Sequence, residues 1–155
     1  MKQSLLNQVI NLLEEDLKTI RSAAAETHRA STGDESKQEG KYDTRGLEAS
    51  YLAEAQADQV RQLEQSLHKL NTLTLIEEPD EVIPGTIVIV SSDKTDQDSQ
   101  FFLLPAGGGT MLKYEDQDLT VITPSSPIGM VLLARSIGDI LQTDQLGEIF
   151  ISEIY

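Results

Sequence analysis

The sequence predicts an α+β protein: a long antiparallel α-helical hairpin with coiled-coil spacing, followed by a small antiparallel β-sheet domain carrying one short helix. Three observations predict it. In the first half, apolar residues recur at alternating steps of three and four. Glu77-Glu78-Pro79-Asp80 then breaks the helical pattern, since proline cannot continue a helix and restricts the residue before it. Beyond that break, short β-branched runs are separated by clusters of Gly, Pro, Ser and Asp, which is the signature of strands and turns.

Residues 3–29 read as one amphipathic helix. Leu6, Ile10, Leu13, Leu17, Ile20 and Ala24 are spaced 4, 3, 4, 3 and 4 apart, a coiled-coil seam, and Leu5, Val9 and Leu12 widen it at the start. The return helix spans about Thr44 to Leu75, with Ala49, Ala53, Gln56, Val60, Leu63, Leu67 and Leu70 in the same register. Its large apolar residues lie far from the turn, so Leu6–Leu17 is expected opposite Val60–Leu70, with Leu47, Tyr51 and Leu52 adding contact near the turn. At about 1.5 Å per residue each arm is on the order of 40 Å long. The predicted division is 1–77 for the hairpin, with its tip at 31–45, and 78–155 for the sheet domain.

In that second part, Thr86–Val90, Phe101–Leu104, Leu119–Ile122 and Ile149–Ile154 read as strands. Ser91–Ser99, Gly107–Gly109 and Thr123–Pro127 read as turns. A helical pattern runs from Ile128 to Ile140, with Gly138 placed as its C-terminal cap. A domain of about 75 residues is marginal alone, so it is expected to lean on the root of the hairpin.

Composition excludes several functions. There is no cysteine, hence no disulfide, thiolate zinc site or thiol catalysis, which fits a cytoplasmic protein. No apolar run approaches the roughly 18 residues of a membrane span, and no signal peptide is evident. The net charge of −14 argues against autonomous DNA binding, which needs cations to neutralise phosphate. Residues 1–78 carry a net −5 and residues 79–155 a net −9, so the bases gather in the first half, several of them (Arg21, Arg29, Lys37, Lys41, Arg45) near the turn. His28 and His68 lie on different helices without a paired ligand. Gly107–Gly109 lacks the Lys-Ser/Thr of a phosphate-binding loop, and the Thr123–Pro127 run has neither a nucleophile elbow nor a nearby histidine.

The tip remains. Ser31–Arg45 carries the acids Asp34, Glu35, Glu39 and Asp43 and the bases Lys37, Lys41 and Arg45. Carboxylates on a short turn can ligate a hard cation such as Mg²⁺, but such a turn binds it weakly unless another molecule supplies further ligands. The competing reading is a solvated turn.

Three stretches resemble the Gre family of bacterial transcription elongation factors. They are Val82–Val88 (VIPGTIV), Val121–Asp139 (VITPSSPIGMVLLARSIGD) and the closing Glu148–Tyr155. The middle one carries the family's strand, Ser-Pro, short helix and Gly-Asp in the right order, and the helical hairpin fits as well. The resemblance covers nearly the whole chain, more firmly in the second half. It implies a coiled coil on an FKBP-like C-terminal domain, and RNA polymerase as partner. The C-terminal domain would dock at the rim of the secondary channel through Ser125, Ser126, Pro127 and Ile128. The tip acids Asp34, Glu35 and Glu39 would help hold an Mg²⁺ of the polymerase active site, close to nascent RNA, while backtracked RNA is cut. Lys37, Lys41 and Arg45 would be the tip's basic contacts. By this reading the factor is no enzyme itself and holds no cofactor when alone.

Two departures are visible. Ser125 stands where members often carry Asn or Asp, and Lys37, or Gln38 if one residue is inserted, stands where the family's second acid lies three residues after the first, although Gly33-Asp34 and Tyr42 match. A non-cleaving homologue that competes for the channel is therefore the alternative. A dimerising structural hairpin is a third reading, whereas an intramolecular hairpin predicts a monomer. X-Pro isomerisation would need an aromatic-lined pocket, and this half offers only Phe101, Phe102, Tyr114, Phe150 and Tyr155.

Overall fold

The computed structural model describes residues 1–32 and 44–155, and only the backbone of Ala30, Ser31, Thr32, Thr44, Arg45, Gly46, Ala49, Asp96 and Gln97. Helix α1 spans Lys2–Thr32 and α2 spans Thr44–Asn71. The chain then forms β1 (Ile87–Ser92), β2 (Thr95–Leu103), β3 (Met111–Tyr114), β4 (Gln117–Ile122), α3 (Pro127–Leu132), β5 (Ile140–Thr143) and β6 (Gly147–Ile154). It divides into two compact units, one of Met1–Ile10 with His68–Tyr155 and one of Asn11–Leu67.

In the Asn11–Leu67 unit the heptad spacing is realised. Leu13, Leu17, Ile20, Ala24 and Thr27 are the shielded positions of α1, and Ala53, Gln56, Val60, Leu63 and Leu67 those of α2. An Arg21–Glu64 ion pair links the two helices. Both side chains are about half exposed, so the pair adds little stability and mainly fixes alignment. Leu47, Tyr51 and Leu52 do not add to the helix contact as the sequence suggested. They are 56%, 63% and 52% exposed, because they fall between the seam positions. Leu12, also counted toward the stripe, faces solvent as well.

In the other unit the root residues Leu5, Leu6, Val9 and Leu70 are buried. Lys2 closes the end of the hairpin by donating its ammonium to the carbonyls of Ile76 and Glu77. Burial holds its pKa below the usual lysine value, and the Glu77 charge opposes that shift. The Leu75 side chain lies where a Cβ on Gly85 would approach within 3.0 Å, and Gly85 also has a φ of +102°. Glycine is required there on both counts.

The sheet has six strands in the order β3-β4-β2-β1-β6-β5. It is not wholly antiparallel, as the sequence had suggested: β2 and β4 pair in parallel, Gln100 to Leu119 through Leu103 to Ile122. The reason is the connection. Gly107–Gly109 does not close a hairpin between neighbouring strands; it turns the chain toward β3, which pairs with β4 and leaves β4 inserted beside β2. The Ser91–Ser99 stretch is likewise mostly strand. The β1–β2 ladder continues to Ser92–Thr95, and only Asp93-Lys94 turn. Glu115 and Asp116, both at positive φ, form the two-residue turn between β3 and β4. One face of the sheet builds a core from Val88, Val90, Leu103, Ile122, Ile149 and Ile151 together with Val82, Leu132 and Ile154. On the other face Ile87, Phe102, Leu119 and Val121 are also fully buried.

Candidate functional site

Of the predicted tip residues, Asp34, Glu35, Lys37, Glu39 and Lys41 lie outside the described residues, and of Arg45 only the backbone is described, in the first turn of α2. The elements flanking the tip are described. Before it, α1 carries Lys18, Arg21 and Arg29 along one side, where they line a shallow cavity of about 460 Å³ with Ser22, Ala25 and Glu26. Steps of three, four and eight residues bring these side chains to one face of a helix. Glu26 lies among them and Arg21 is paired with Glu64, so Lys18 and Arg29 carry most of the positive charge of this face. Among the described residues no group of His, Asp and Glu could hold a metal ion, and no helix is long and apolar enough to cross a membrane. His28 and His68 are both exposed.

The second candidate region is the Thr123–Leu133 segment. Ser126 is the N-cap of α3. Its Oγ accepts from the Gly129 amide at 3.1 Å and donates to the Thr123 carbonyl at 2.7 Å. Pro127 occupies the first helical position, where a missing N–H costs nothing. Gly129 sits so close to this turn that a Cβ would lie 1.9 Å from the Thr123 oxygen, so no side chain fits there. The helix ends early: Leu133 is its C-cap and donates its amide to the Gly129 carbonyl. The predicted extension to Ile140 does not form. Ala134 takes a φ of +59° and bonds Val82, while Gly138, placed as the cap from sequence, instead bonds Ile151 at the start of the return into β5.

The four predicted docking residues therefore divide. Ser126 is committed to the cap, and Ile128 is half-buried against the sheet core. Ser125 and Pro127 are exposed, and the Ser125 hydroxyl lies 3.2 Å from that of Thr123. The surface continues through Met130 and Leu133, which are 63% and 38% exposed. Both fit the helical period of the Ile128–Ile140 stretch, and that period alone does not say which side of the helix is buried. The signal that separates them is Gly129: a helix resting on its glycine side turns Met130 outward.

A third concavity, about 710 Å³, lies over β2, β3 and β4 and is lined by Asp98, Ser99, Lys113, Asp116 and Asp118 among others. Phe101 is the one aromatic side chain on it. It lacks the apolar enclosure a prolyl substrate would need.

No protein-family model matches the chain, and no curated protein does. Among solved structures, similarity is found to the transcription factor Gfh1, at 19% identity over 94% of this chain and 92% of that one, with a TM-score of 0.41. The GreA factor homolog 1 of Thermus thermophilus is similar at 21% identity, covering 94% of each chain, with a TM-score of 0.39. A prokaryotic transcription elongation factor GreA/GreB from Nitrosomonas europaea is similar at 15% identity, over 70% of this chain and 91% of that one, with a TM-score of 0.34. The chain is thus similar, at low identity and with TM-scores under 0.5, to solved structures of Gfh1 and GreA/GreB factors.

Proposed function

We propose that the chain is a transcription factor that binds bacterial RNA polymerase, with the hairpin of residues 1–77 entering the secondary channel and the 78–155 domain docking at its rim. The observation that best supports this is the α3 segment. The Ser-Pro block that resembles the Gre family folds as a rigid N-cap, presenting Ser125, Pro127 and Met130 to solvent beside one another in sequence. A capped turn of fixed geometry loses little entropy on docking, which suits a protein-binding surface. In this reading the chain works as a cytoplasmic monomer, is not itself an enzyme, and meets nascent RNA only inside the polymerase. Lys18 and Arg29 lie on the arm that would approach phosphate.

Co-purification with core polymerase tests the docking. The wild type is retained, and Pro127→Glu, which puts a charge on the exposed surface without touching the Ser126 cap, lowers retention at least tenfold. Equal retention of the two would remove the docking role.

The tip is the finer part of the proposal. Asp34, Glu35 and Glu39 are hard oxygen donors of the kind Mg²⁺ takes, and they would complete a site whose other ligands belong to the polymerase. Added to backtracked complexes, the protein shortens the RNA 3′ end, and Asp34→Ala with Glu39→Ala abolishes the shortening. Lys37, standing at the family's second acidic position, favours one second reading. A factor that binds and slows transcription without shortening RNA is a non-cleaving competitor for the channel.

A further inference from the structure

The seam of the Asn11–Leu67 unit changes character along its length. Its near half, the one away from the helix ends that the tip joins, is built from Leu13, Leu17, Leu63 and Leu67, and Leu17 and Leu67 are only 8% and 9% exposed. Its far half is built from Ala24, Thr27, Ala53 and Gln56. Two of these are alanine. The Thr27 hydroxyl is turned back onto its own helix, donating to the Ala23 carbonyl at 3.0 Å. The Gln56 side chain has its Oε1 buried and without a hydrogen-bond partner among the described residues.

Each of these choices makes closing of the far half less favourable. Alanines bury little apolar area, and burial stabilises in proportion to that area. An unpaired amide oxygen withdrawn from water carries a desolvation penalty that vanishes when the seam opens and water reaches it. A lone polar residue in a heptad seam fixes the register of the helices at such a cost in stability.

We propose that Gln56 makes the far half of the hairpin a separate opening unit: Ala24–Thr27 and Ala53–Gln56 part and rejoin while the Leu13–Leu67 half stays closed. The device is a local opening driven by rehydration of one amide. It does not depend on the polymerase reading. If that reading holds, the end of the arm can adjust to the surface it meets without unfolding the rest.

Hydrogen–deuterium exchange on the full chain tests this, with Gln56→Met as the main variant. Methionine keeps the length and helix propensity of glutamine and removes the amide. In the wild type, peptides from 20–29 and 50–58 exchange faster than those from 11–18 and 60–67. In Gln56→Met the first pair slows about tenfold and the second pair is unchanged, and Gln56→Leu does the same. Equal protection of both halves in the wild type overturns the proposal. So does slowing spread evenly along the helices, or no slowing in either variant. Because both variants add apolar character to a seam, neither is expected to fail to fold, and co-purification with polymerase reports separately on the functional reading.

Discussion

Ser126 and Met130 sit four residues apart and have opposite fates. The first spends its hydroxyl on the helix cap, and the second lies open to solvent. The sequence shows the residue types a docking loop needs, but not which of them the fold uses up. That depends on Gly129 pressing against the Thr123 carbonyl, a contact no periodicity encodes. Tyr114 shows the same limit. It is buried at 7% exposure, and burial, followed by the Glu115 hydrogen bond and charge, raises its pKa above the usual value. A group whose folded pKa is raised contributes stability that is complete below its unfolded pKa, about 10 for tyrosine, and lost as pH rises through the folded value. Urea midpoints measured between pH 8 and 11 should therefore fall at the alkaline end, and Tyr114→Phe should flatten that fall. A slope equally steep in Tyr114→Phe would assign the fall to other groups; Lys2 is not one of them, because its lowered pKa makes stability rise with pH.

At the scale of elements, long repeats were legible and short ones were not. Helices of 31 and 28 residues declare themselves through many heptad positions, and the shielded residues fall where the spacing put them. The four-residue strands β3 and β5 were missed, for different reasons. In β3 the alternation of Leu112 and Tyr114 with Met111 and Lys113 spans too few residues to stand out. β5 begins at Ile140, where the apparent helix from Ile128 ends, and the structure ends that helix at Leu132, with Ala134 at positive φ. Small elements gain their structure from neighbours, and a neighbour 10 residues on is as invisible to a local pattern as one far away. The far half of the hairpin is an intermediate case. Its weak seam of alanines was readable from sequence, whereas the unpaired Gln56 oxygen was not, and the exchange behaviour predicted for Gln56→Met rests on that atom.

For the whole molecule, fold class was legible and sheet topology was not. The α-then-β order follows from the change of period at Pro79, but the parallel β2–β4 pair arises from a crossing that involves three strands at once. The same strand order has a kinetic consequence. The last strand in the chain is an interior one: β6 lies between β1 and β5, and Ser152 reaches Ile89 across a separation of 63 residues. The β1–β2 and β3–β4 ladders join near neighbours and can nucleate early, while closing so long a loop comes late on the folding route. Contacts made after the transition state govern how fast the native state is left. Ile151→Val, a loss of about 0.5–1.5 kcal/mol in a packed core, should then speed unfolding in stopped-flow traces and leave refolding nearly unchanged; slowed refolding would put β6 in the nucleus instead. A strand inserted last acts as the latch on the sheet, and the lifetime of the α3 turn, whose Leu132 packs with Ile149 and Ile151, is set by how long that latch holds.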